Sequence, residues 1–179
     1  WLDEITPLLD YSGMRAYQVA ASYFSSNNHL LNTLLVNVFA DVLGQREWVV
    51  RLPAVIFGVA TVPALYWVAR MALSRRVSLG AVLLLAVSYH HVFFSQNARG
   101  YSGYLLFSLL ATGCLVRALS GDRFRDWALF VAASVANFAA LLTSAFVFAS
   151  HALVGLLALA VIRRRGDSPG PLFRRLLVV

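Results

Sequence analysis

The sequence predicts an all-α bundle of membrane-spanning helices. Its 179 residues are 60% hydrophobic, with a mean hydropathy of +0.72. A soluble domain of this length has too little interior to bury so much apolar surface, because its surface is large relative to its volume. The apolar residues also form runs that are long enough to cross a bilayer, and short arginine-containing loops separate these runs. Lipid is therefore the expected solvent for most of the chain.

Residues 1–50 precede the first spanning run and predict a folded external loop. Residues 13–24 have the pattern of a short amphipathic helix. Residues 25–28 (SSNN) offer N-cap side chains for a second helix over about residues 29–43, and Gly44 is a suitable C-terminal stop. Polar residues recur at helical spacing in the second helix, which predicts that it lies at the membrane interface: Asn32, Thr33, Asn37 and Asp41.

Residues 51–179 contain about five spanning runs and the beginning of another. Because a hydrocarbon core of about 30 Å needs about 20 helical residues, each run is close to the required length. The charge-free stretch 127–162 is too long for one span and predicts two short spans that turn near residues 142–145. Another span begins near residue 176. The first three runs are 18, 22 and 17 residues long: 52–69, 77–98 and 100–116.

All 15 basic residues are arginines, and they give the chain a net charge of +7. Eleven of them gather at alternate ends of the predicted spans, around residues 70–76, 117–125 and 163–175. The positive-inside rule assigns these ends to the cytoplasm. This distribution disfavours nucleic-acid binding, for which basic residues would share one face.

The arginine distribution also predicts which segments lie outside the cytoplasm. These are residues 1–50, the junction at residues 95–101 and the turn near Thr143. If the full protein starts in the cytoplasm, this order of spans requires one further span before Trp1. The sequence is therefore expected to be a fragment that lacks an upstream span and a C-terminal region.

Four short motifs follow one another along the chain: WLDE at 1–4, NHLL at 28–31, RLPAVIFG at 51–58 and SQNARGY at 95–101. Their order and spacing resemble the lipid-linked-sugar-dependent glycosyltransferases of the GT-C superfamily, and most closely the bacterial protein-O-mannosyltransferase-like branch. The resemblance covers nearly the whole chain. It implies a GT-C-type transmembrane bundle whose first external loop and next three spans carry the motifs.

The resemblance implies an inverting hexosyl- or pentosyltransferase of the bacterial inner membrane. Such an enzyme moves a sugar from a polyprenyl-phosphate donor to an acceptor hydroxyl on lipid, glycan or protein, at the extracytoplasmic face. Asp3 matches the catalytic acidic position of the family and is expected to be the general base, with Glu4 as its companion. The residues alone favour an acidic pair that caps a helix or is solvated, since exposed acid pairs are common.

Four further residues are candidates for binding the donor phosphate or the substrate. Arg99 lies between two spans, where an arginine marks a partner such as a lipid phosphate, or reaches the headgroups by snorkelling. Arg51 could bind the phosphate or form an ion pair with Glu47, one helical turn earlier. His29 could contact substrate or simply end a helix. Tyr101 could line the site or belong to an aromatic belt.

The sequence indicates no metal site and no other cofactor. Cys114 is the single cysteine, and adjacent His90 and His91 would not face the same way on a helix. Two positions depart from the family pattern. Leu30 follows the motif histidine where relatives often have proline, and Asn97 stands where many relatives have an acidic residue. A divalent metal stays open but has no support in the sequence.

A non-enzymatic transporter of a lipid or small molecule is the alternative function. Polar groups and broken helices within the membrane occur in transporters. However, the spans contain few ionisable groups, and the candidate residues cluster at one outer face rather than near the midplane. The segment 100–103 (GYSG) lacks the strand and lysine of a nucleotide-binding loop, which disfavours a nucleotide-sugar donor.

Overall fold

The computed structural model describes residues 14, 18–19, 29–121 and 123–165. These residues confirm the predicted all-α bundle, and none of them forms a strand. The helices are α1 (Leu30–Leu43), α2 (Glu47–Ala69), α3 (Arg75–Ala86), α4 (Tyr89–Ser95), α5 (Tyr101–Gly121), α6 (Phe124–Ala140) and α7 (Ser144–Arg165).

Helix α1 confirms the second helix predicted within residues 1–50, whereas the external location of this segment stays a prediction. It ends as expected at Gly44, whose φ of 84° suits a residue without a side chain, and whose N–H donates to Ala40 O. The prediction that residues 25–28 cap this helix is wrong, because His29 occupies the N-cap position and its side chain makes no capping hydrogen bond. Residues 25–28 lie outside the described residues, as does most of the predicted helix at 13–24.

The polar and apolar faces of α1 are reversed relative to a helix of a soluble protein. Asn32 and Thr33 are buried against the bundle, whereas Val38 and Val42 are 47% and 77% exposed. An apolar surface that faces outward is favourable in lipid and costly in water. The position of α1 at the membrane interface stays a prediction.

Helices α2 and α5 are each long and apolar enough to cross a membrane. They run parallel, since Phe57 packs against Gly103 near one end and Trp67 packs against Gly113 further along. The absence of a side chain at Gly113 lets the Trp67 ring approach the α5 backbone closely. Small residues serve the same purpose at helix contacts in many membrane proteins.

Helices α3 and α4 occupy the predicted span 77–98 but are bent by 59° relative to each other. The two helices qualify as a membrane span only when they are taken together. Their junction is the extended backbone of Ser88, with φ −66° and ψ 123°. Ser95, at the end of α4, lies on the backbone of Gly58 in α2, so the short helix packs closely against a spanning helix.

Helices α6 and α7 divide the charge-free stretch, as predicted, and the chain turns at residues 141–143. Neither helix combines the length and the hydropathy that a membrane span requires, as α2 and α5 do. The apolar part of α7 covers only Ser144–Ala158. The described residues thus contain two candidate spans, or three with the bent pair. The total of five spans stays a prediction.

Polar contacts join α6 and α7 to α5 inside the bundle. Asn137 Nδ2 donates to Ser108 Oγ over 2.9 Å, and Thr112 Oγ1 lies 2.9 Å from His151 Nε2. Near the other end of α6, Arg117 Nε lies 3.1 Å from Asp126 Oδ1. These contacts show that α5 and α6 run antiparallel, so the C-terminal end of α6 reaches the beginning of α5.

Candidate functional site

The candidate site lies where α1 and α5 begin and α6 ends. Gly100 lies directly against the carbonyl oxygen of Ala140, so closely that a Cβ on this glycine would overlap the oxygen. The same Cβ would lie 3.1 Å from His29 Cβ. The His29 side chain also hydrogen-bonds the backbone of Ala140. Three segments that are distant in sequence therefore meet at one point.

Asn32 joins the loop before α5 to α1. Its Nδ2 donates to Ala98 O over 3.0 Å, a contact between residues 66 positions apart. Within the loop, the Arg99 N–H donates to Asn97 O over 2.7 Å. The peptide group between Ala98 and Arg99 is thus held by hydrogen bonds at both its carbonyl oxygen and its N–H.

Tyr101 is the centre of an aromatic group beside this loop. The Arg99 guanidinium carbon lies 5.1 Å from the centroid of the Tyr101 ring, within the range of a cation–π interaction. The rings of His29 and Phe94 have centroids 5.6 and 4.8 Å from that of Tyr101. The structure therefore brings together three of the residues predicted from sequence, namely Arg99, Tyr101 and His29.

His29 is a neutral group at neutral pH. Burial, and next the positive charge of Arg99, lower its pKa from 6.5 to about 4, against the opposing effect of the hydrogen bond to Ala140. Its Nε2 is buried and has no hydrogen-bond partner among the described residues, so the contact with Ala140 is made by Nδ1. In this tautomer Nε2 carries a lone pair and accepts hydrogen bonds.

Other buried polar atoms lie on α1 and on the loop before α5. Asn32 Oδ1, Asn37 Nδ2 and Asn97 Oδ1 find no hydrogen-bond partner within the part of the chain that is described. Leaving such an atom unsatisfied costs roughly 1–3 kcal/mol, so these atoms are available to water or to a polar ligand. Asn32 and Asn97, on either side of the contact with Ala98, give the site a hydrogen-bonding character beyond the charge of Arg99.

Arg51 lies beside the loop at residues 95–101 rather than within the His29–Tyr101 group. Its Nη2 is 2.9 Å from Glu47 Oε1, which confirms the predicted ion pair. Arg51, Gln96 and Trp48 line an open groove of about 390 Å³. The partly exposed Arg51 guanidinium therefore faces a groove that borders the loop at residues 95–101, and Arg99 belongs to the same loop.

Asp3 and Glu4, the predicted catalytic pair, lie outside the described residues. Among the residues that are described, no group of three or more His, Cys, Asp or Glu side chains could hold a metal ion. Any role of Asp3 and Glu4, in catalysis or in metal binding, stays a prediction from the sequence.

Sequence reasoning missed the parts of the site that are made by the backbone. Asn32 was recognised as polar, but nothing in its surroundings indicated a contact with Ala98. Gly100, next to the motif arginine, was a usable signal, because a glycine beside a functional residue often marks a close approach. The Ala140 carbonyl had no signal, since any residue could supply it.

The described residues combine an all-helical bundle that has two or three candidate membrane spans with a buried, arginine-containing site. Residues 28–179 match the family model of dolichyl-phosphate-mannose-protein mannosyltransferases. The match covers most of the chain, and the protein belongs to this family. No curated protein and no solved structure shows significant similarity to the chain. The family membership agrees with the resemblance seen in the four sequence motifs.

Proposed function

We propose that the protein transfers a sugar from a polyprenyl-phosphate donor to an acceptor hydroxyl on lipid, glycan or protein, with inversion at the sugar carbon. The observation that carries this proposal is the position of Arg99. Its guanidinium packs on Tyr101 at the start of a candidate membrane span, in a protein of a glycosyltransferase family. A cation at the end of a spanning helix suits a ligand whose charge is a phosphate and whose body is a lipid.

Arg99 is the group that we assign to the donor phosphate. A guanidinium donates two parallel hydrogen bonds to phosphate oxygens, and it stays charged at every physiological pH. Arg51 offers a second cation beside the same loop, although Glu47 already neutralises part of its charge. His29 supplies no positive charge at neutral pH because of its lowered pKa, and we assign it and Tyr101 to shaping the site and orienting polar groups.

Asp3 is assigned the role of general base, and Glu4 that of its companion. In this mechanism the acceptor oxygen attacks the anomeric carbon from the face opposite the phosphate, while Asp3 takes the acceptor proton. The bond between the sugar carbon and the phosphate oxygen breaks, and the electron pair leaves with the polyprenyl phosphate. Arg99 stabilises the negative charge that develops on this leaving group.

The active site is proposed to face the extracytoplasmic side of a bacterial inner membrane. The candidate residues lie at the ends of α2 and α5 opposite to Arg70 and Arg117, which the positive-inside rule assigns to the cytoplasm. Nucleotide sugars are cytoplasmic, so a sugar carried on a membrane lipid suits this location.

The test is transfer of radiolabelled sugar from polyprenyl-phosphate donors, with the full-length protein in membranes. Asp3→Asn should lower turnover by about 10²–10⁴-fold, the usual contribution of a general base. Asp41→Asn is the matched control, since Asp41 is an exposed acid on α1, and it should retain activity. Unchanged turnover in Asp3→Asn would refute the assigned base.

A lipid or small-molecule transporter is the second candidate, and the bend between α3 and α4 is the observation that favours it. Broken helices often form transport sites. The same reconstituted protein distinguishes the two candidates: sugar transfer that depends on Asp3 identifies the enzyme, whereas lipid movement across the bilayer without sugar transfer identifies a transporter.

A further inference from the structure

The groove beside Arg51 combines charged, amide and aromatic side chains. It has a volume of about 390 Å³ and lies between the start of α2 and the loop at residues 95–101. Four of its lining residues belong to the first three turns of α2, and the fifth is the C-cap of α4: Glu47, Trp48, Arg51, Val55 and Gln96. The donor phosphate is assigned to Arg99, so this groove has no ligand of its own.

The groove contains both members of an ion pair and therefore favours a ligand without net charge. Arg51 Nη2 lies 2.9 Å from Glu47 Oε1. A phosphate that is attracted by the guanidinium is repelled by the carboxylate one helical turn away, and a cationic ligand meets the opposite combination. The two charges largely cancel for any ligand that contacts both groups.

The polar side chains of the groove can both donate and accept hydrogen bonds. The ion pair engages one guanidinium nitrogen and one carboxylate oxygen, and neither group forms a further hydrogen bond within the part of the chain that is described. The exposed Gln96 adds an amide with two N–H bonds and one carbonyl oxygen. A hydroxyl group is both a donor and an acceptor, so several hydroxyls on one ligand could pair with all three side chains.

Trp48 adds a flat apolar surface to this polar groove. Its side chain is 52% exposed, whereas Trp67 packs against Gly113 inside the bundle. A sugar ring has C–H groups on one face and hydroxyls around its edge, so it can lie on an indole while the hydroxyls reach polar groups. An acyl chain would cover the Trp48 ring but would leave the charged groups beside it without partners.

We propose that this groove binds a neutral saccharide, whose ring lies on Trp48 and whose hydroxyls bond to Glu47, Arg51 and Gln96, and that this saccharide carries the acceptor hydroxyl. The inference rests on the proposed function and narrows the acceptor from lipid, glycan or protein to a glycan. At about 390 Å³ the groove is at the small end of ligand sites, which suits a short saccharide.

The loop at residues 95–101 connects the saccharide groove with the site of the donor phosphate. Gln96 lines the groove, and Arg99 follows it by three residues. In the transfer step, an oxygen of the saccharide forms the new bond to the sugar carbon, and its proton passes to Asp3. The bond from that carbon to the phosphate oxygen breaks, and the lipid phosphate leaves with the electron pair.

The first test is saturation-transfer NMR of the full-length protein in a detergent that has no sugar headgroup. The probes are neutral disaccharides of glucose, galactose and mannose. We expect saturation to reach the ring C–H protons of at least one disaccharide, and inorganic phosphate at the same concentration should not displace it. If no disaccharide receives saturation, or if phosphate displaces the one that does, the inference is overturned.

Two tryptophan substitutions provide a matched pair. Trp48→Leu removes the flat ring and retains an apolar side chain, whereas Trp127→Leu makes the same change at a partly exposed tryptophan near the start of α6. Trp48→Leu should lose saturation transfer and raise the KM for the saccharide acceptor by about two- to ten-fold, with the KM for the donor unchanged. Trp127→Leu should behave as the wild type does. Equal losses in both variants would indicate membrane anchoring and count against the sugar contact.

The transfer assay separates this inference from the proposed function. Radiolabelled sugar is offered on polyprenyl phosphate, with the disaccharides, a serine- and threonine-containing peptide or a lipid as acceptor. Transfer only to the peptide or the lipid overturns the inference and leaves the enzyme intact, as does an effect of Trp48→Leu on the KM for the donor instead of the acceptor. Disaccharide binding without transfer from any donor supports the saccharide groove and overturns the proposed enzyme. Because binding is measured first on the wild type, a misfolded variant does not prevent a decision.

Discussion

The α-carbon of Gly100 lies directly against the carbonyl oxygen of Ala140, so the start of α5 and the end of α6 meet with no side chain between them. The neighbouring His29 hydrogen-bonds the backbone of Ala140. A methyl group added to Gly100 would lie 3.1 Å from His29 Cβ. This contact determines where Arg99 and Tyr101, the residues on either side of Gly100, are placed. The position of the Arg99 guanidinium, the candidate phosphate-binding group, thus depends on a glycine.

Gly100→Ala is expected to destabilise the protein and to impair sugar transfer. The added methyl group would overlap a backbone carbonyl, which cannot rotate away as a side chain does. Overpacking of this kind costs roughly 1–3 kcal/mol, and relief of the overlap would displace Arg99. Thermal unfolding in detergent and the KM for the donor measure the two effects.

Gly80→Ala is the control for this substitution. Gly80 lies within α3, and a Cβ there would have no atom within 4 Å. Alanine is favoured over glycine in a helix by up to about 1 kcal/mol, so this variant should be as stable as the wild type or more so. Equal behaviour of the two variants would contradict the tight contact at Gly100.

Arg99→Gln is expected to weaken donor use by about ten-fold or more. Hydrogen bonds to charged groups contribute roughly 1.5–3 kcal/mol, which corresponds to at least about a ten-fold change in binding. Arg99→Lys should retain the charge but lose the paired geometry, and should therefore fall between glutamine and the wild type. The measurement is the KM for the polyprenyl-phosphate donor, with the unfolding temperature of each variant determined in parallel.

Arg46→Gln is the matched control, because Arg46 is an exposed arginine at the N-cap of α2. It should leave the KM for the donor unchanged. If Arg46→Gln and Arg99→Gln raise this KM to the same extent, general attraction of an anionic lipid explains the effect better than a phosphate site at Arg99.

The sequence was sufficient to predict the all-α membrane bundle, because hydropathy and arginine positions are properties of the chain itself. It also predicted the local features that depend on neighbouring residues: the end of α1 at Gly44 and the ion pair between Glu47 and Arg51. Each of these depends on residues one turn apart, which is the distance over which sequence patterns are informative.

The parts of the site that could not be predicted depend on long-range contacts. The bond from Asn32 to Ala98 joins residues 66 positions apart, and the Ala140 carbonyl belongs to a residue with no polar side chain. The N-cap of α1 was assigned to the wrong residues, since nothing nearby indicated that the His29 side chain is engaged by the end of α6. The 59° bend before α4 was also missed, because residues 77–98 contain neither glycine at the junction nor proline.

The stability of the folded protein is expected to decrease as the pH falls from about 6.5 to about 4. The pKa of His29 is lowered from 6.5 to about 4 by burial and by Arg99, so in this range the unfolded state binds a proton that the folded state does not. The free energy of unfolding should then decrease by up to about 1.4 kcal/mol per pH unit, and should not depend on His29 above pH 6.5. Thermal unfolding in detergent at several pH values measures this slope.

His29→Asn should remove this part of the pH dependence, although it also weakens the contact with Ala140. His90→Gln, which replaces an exposed histidine, should retain the slope. A slope that persists in His29→Asn would assign the acid sensitivity to another group.

The ion pair between Arg117 and Asp126 is expected to stabilise the packing of α5 against α6. The Asp126 side chain is 5% exposed, and its Oδ1 lies 3.1 Å from the Nε of the half-exposed Arg117. Arg117→Met leaves a buried carboxylate without this partner, which should cost about 1–3 kcal/mol. The double variant Arg117→Met, Asp126→Leu removes both charges and should recover most of this loss, since an apolar pair of similar size often replaces a buried ion pair at little cost.

Glu47→Gln, in the exposed pair with Arg51, is the control and should change stability by less than about 1 kcal/mol. Unfolding temperatures in detergent give the comparison, and a double variant no more stable than Arg117→Met would show that the loss comes from packing of the arginine stem rather than from the unpaired charge.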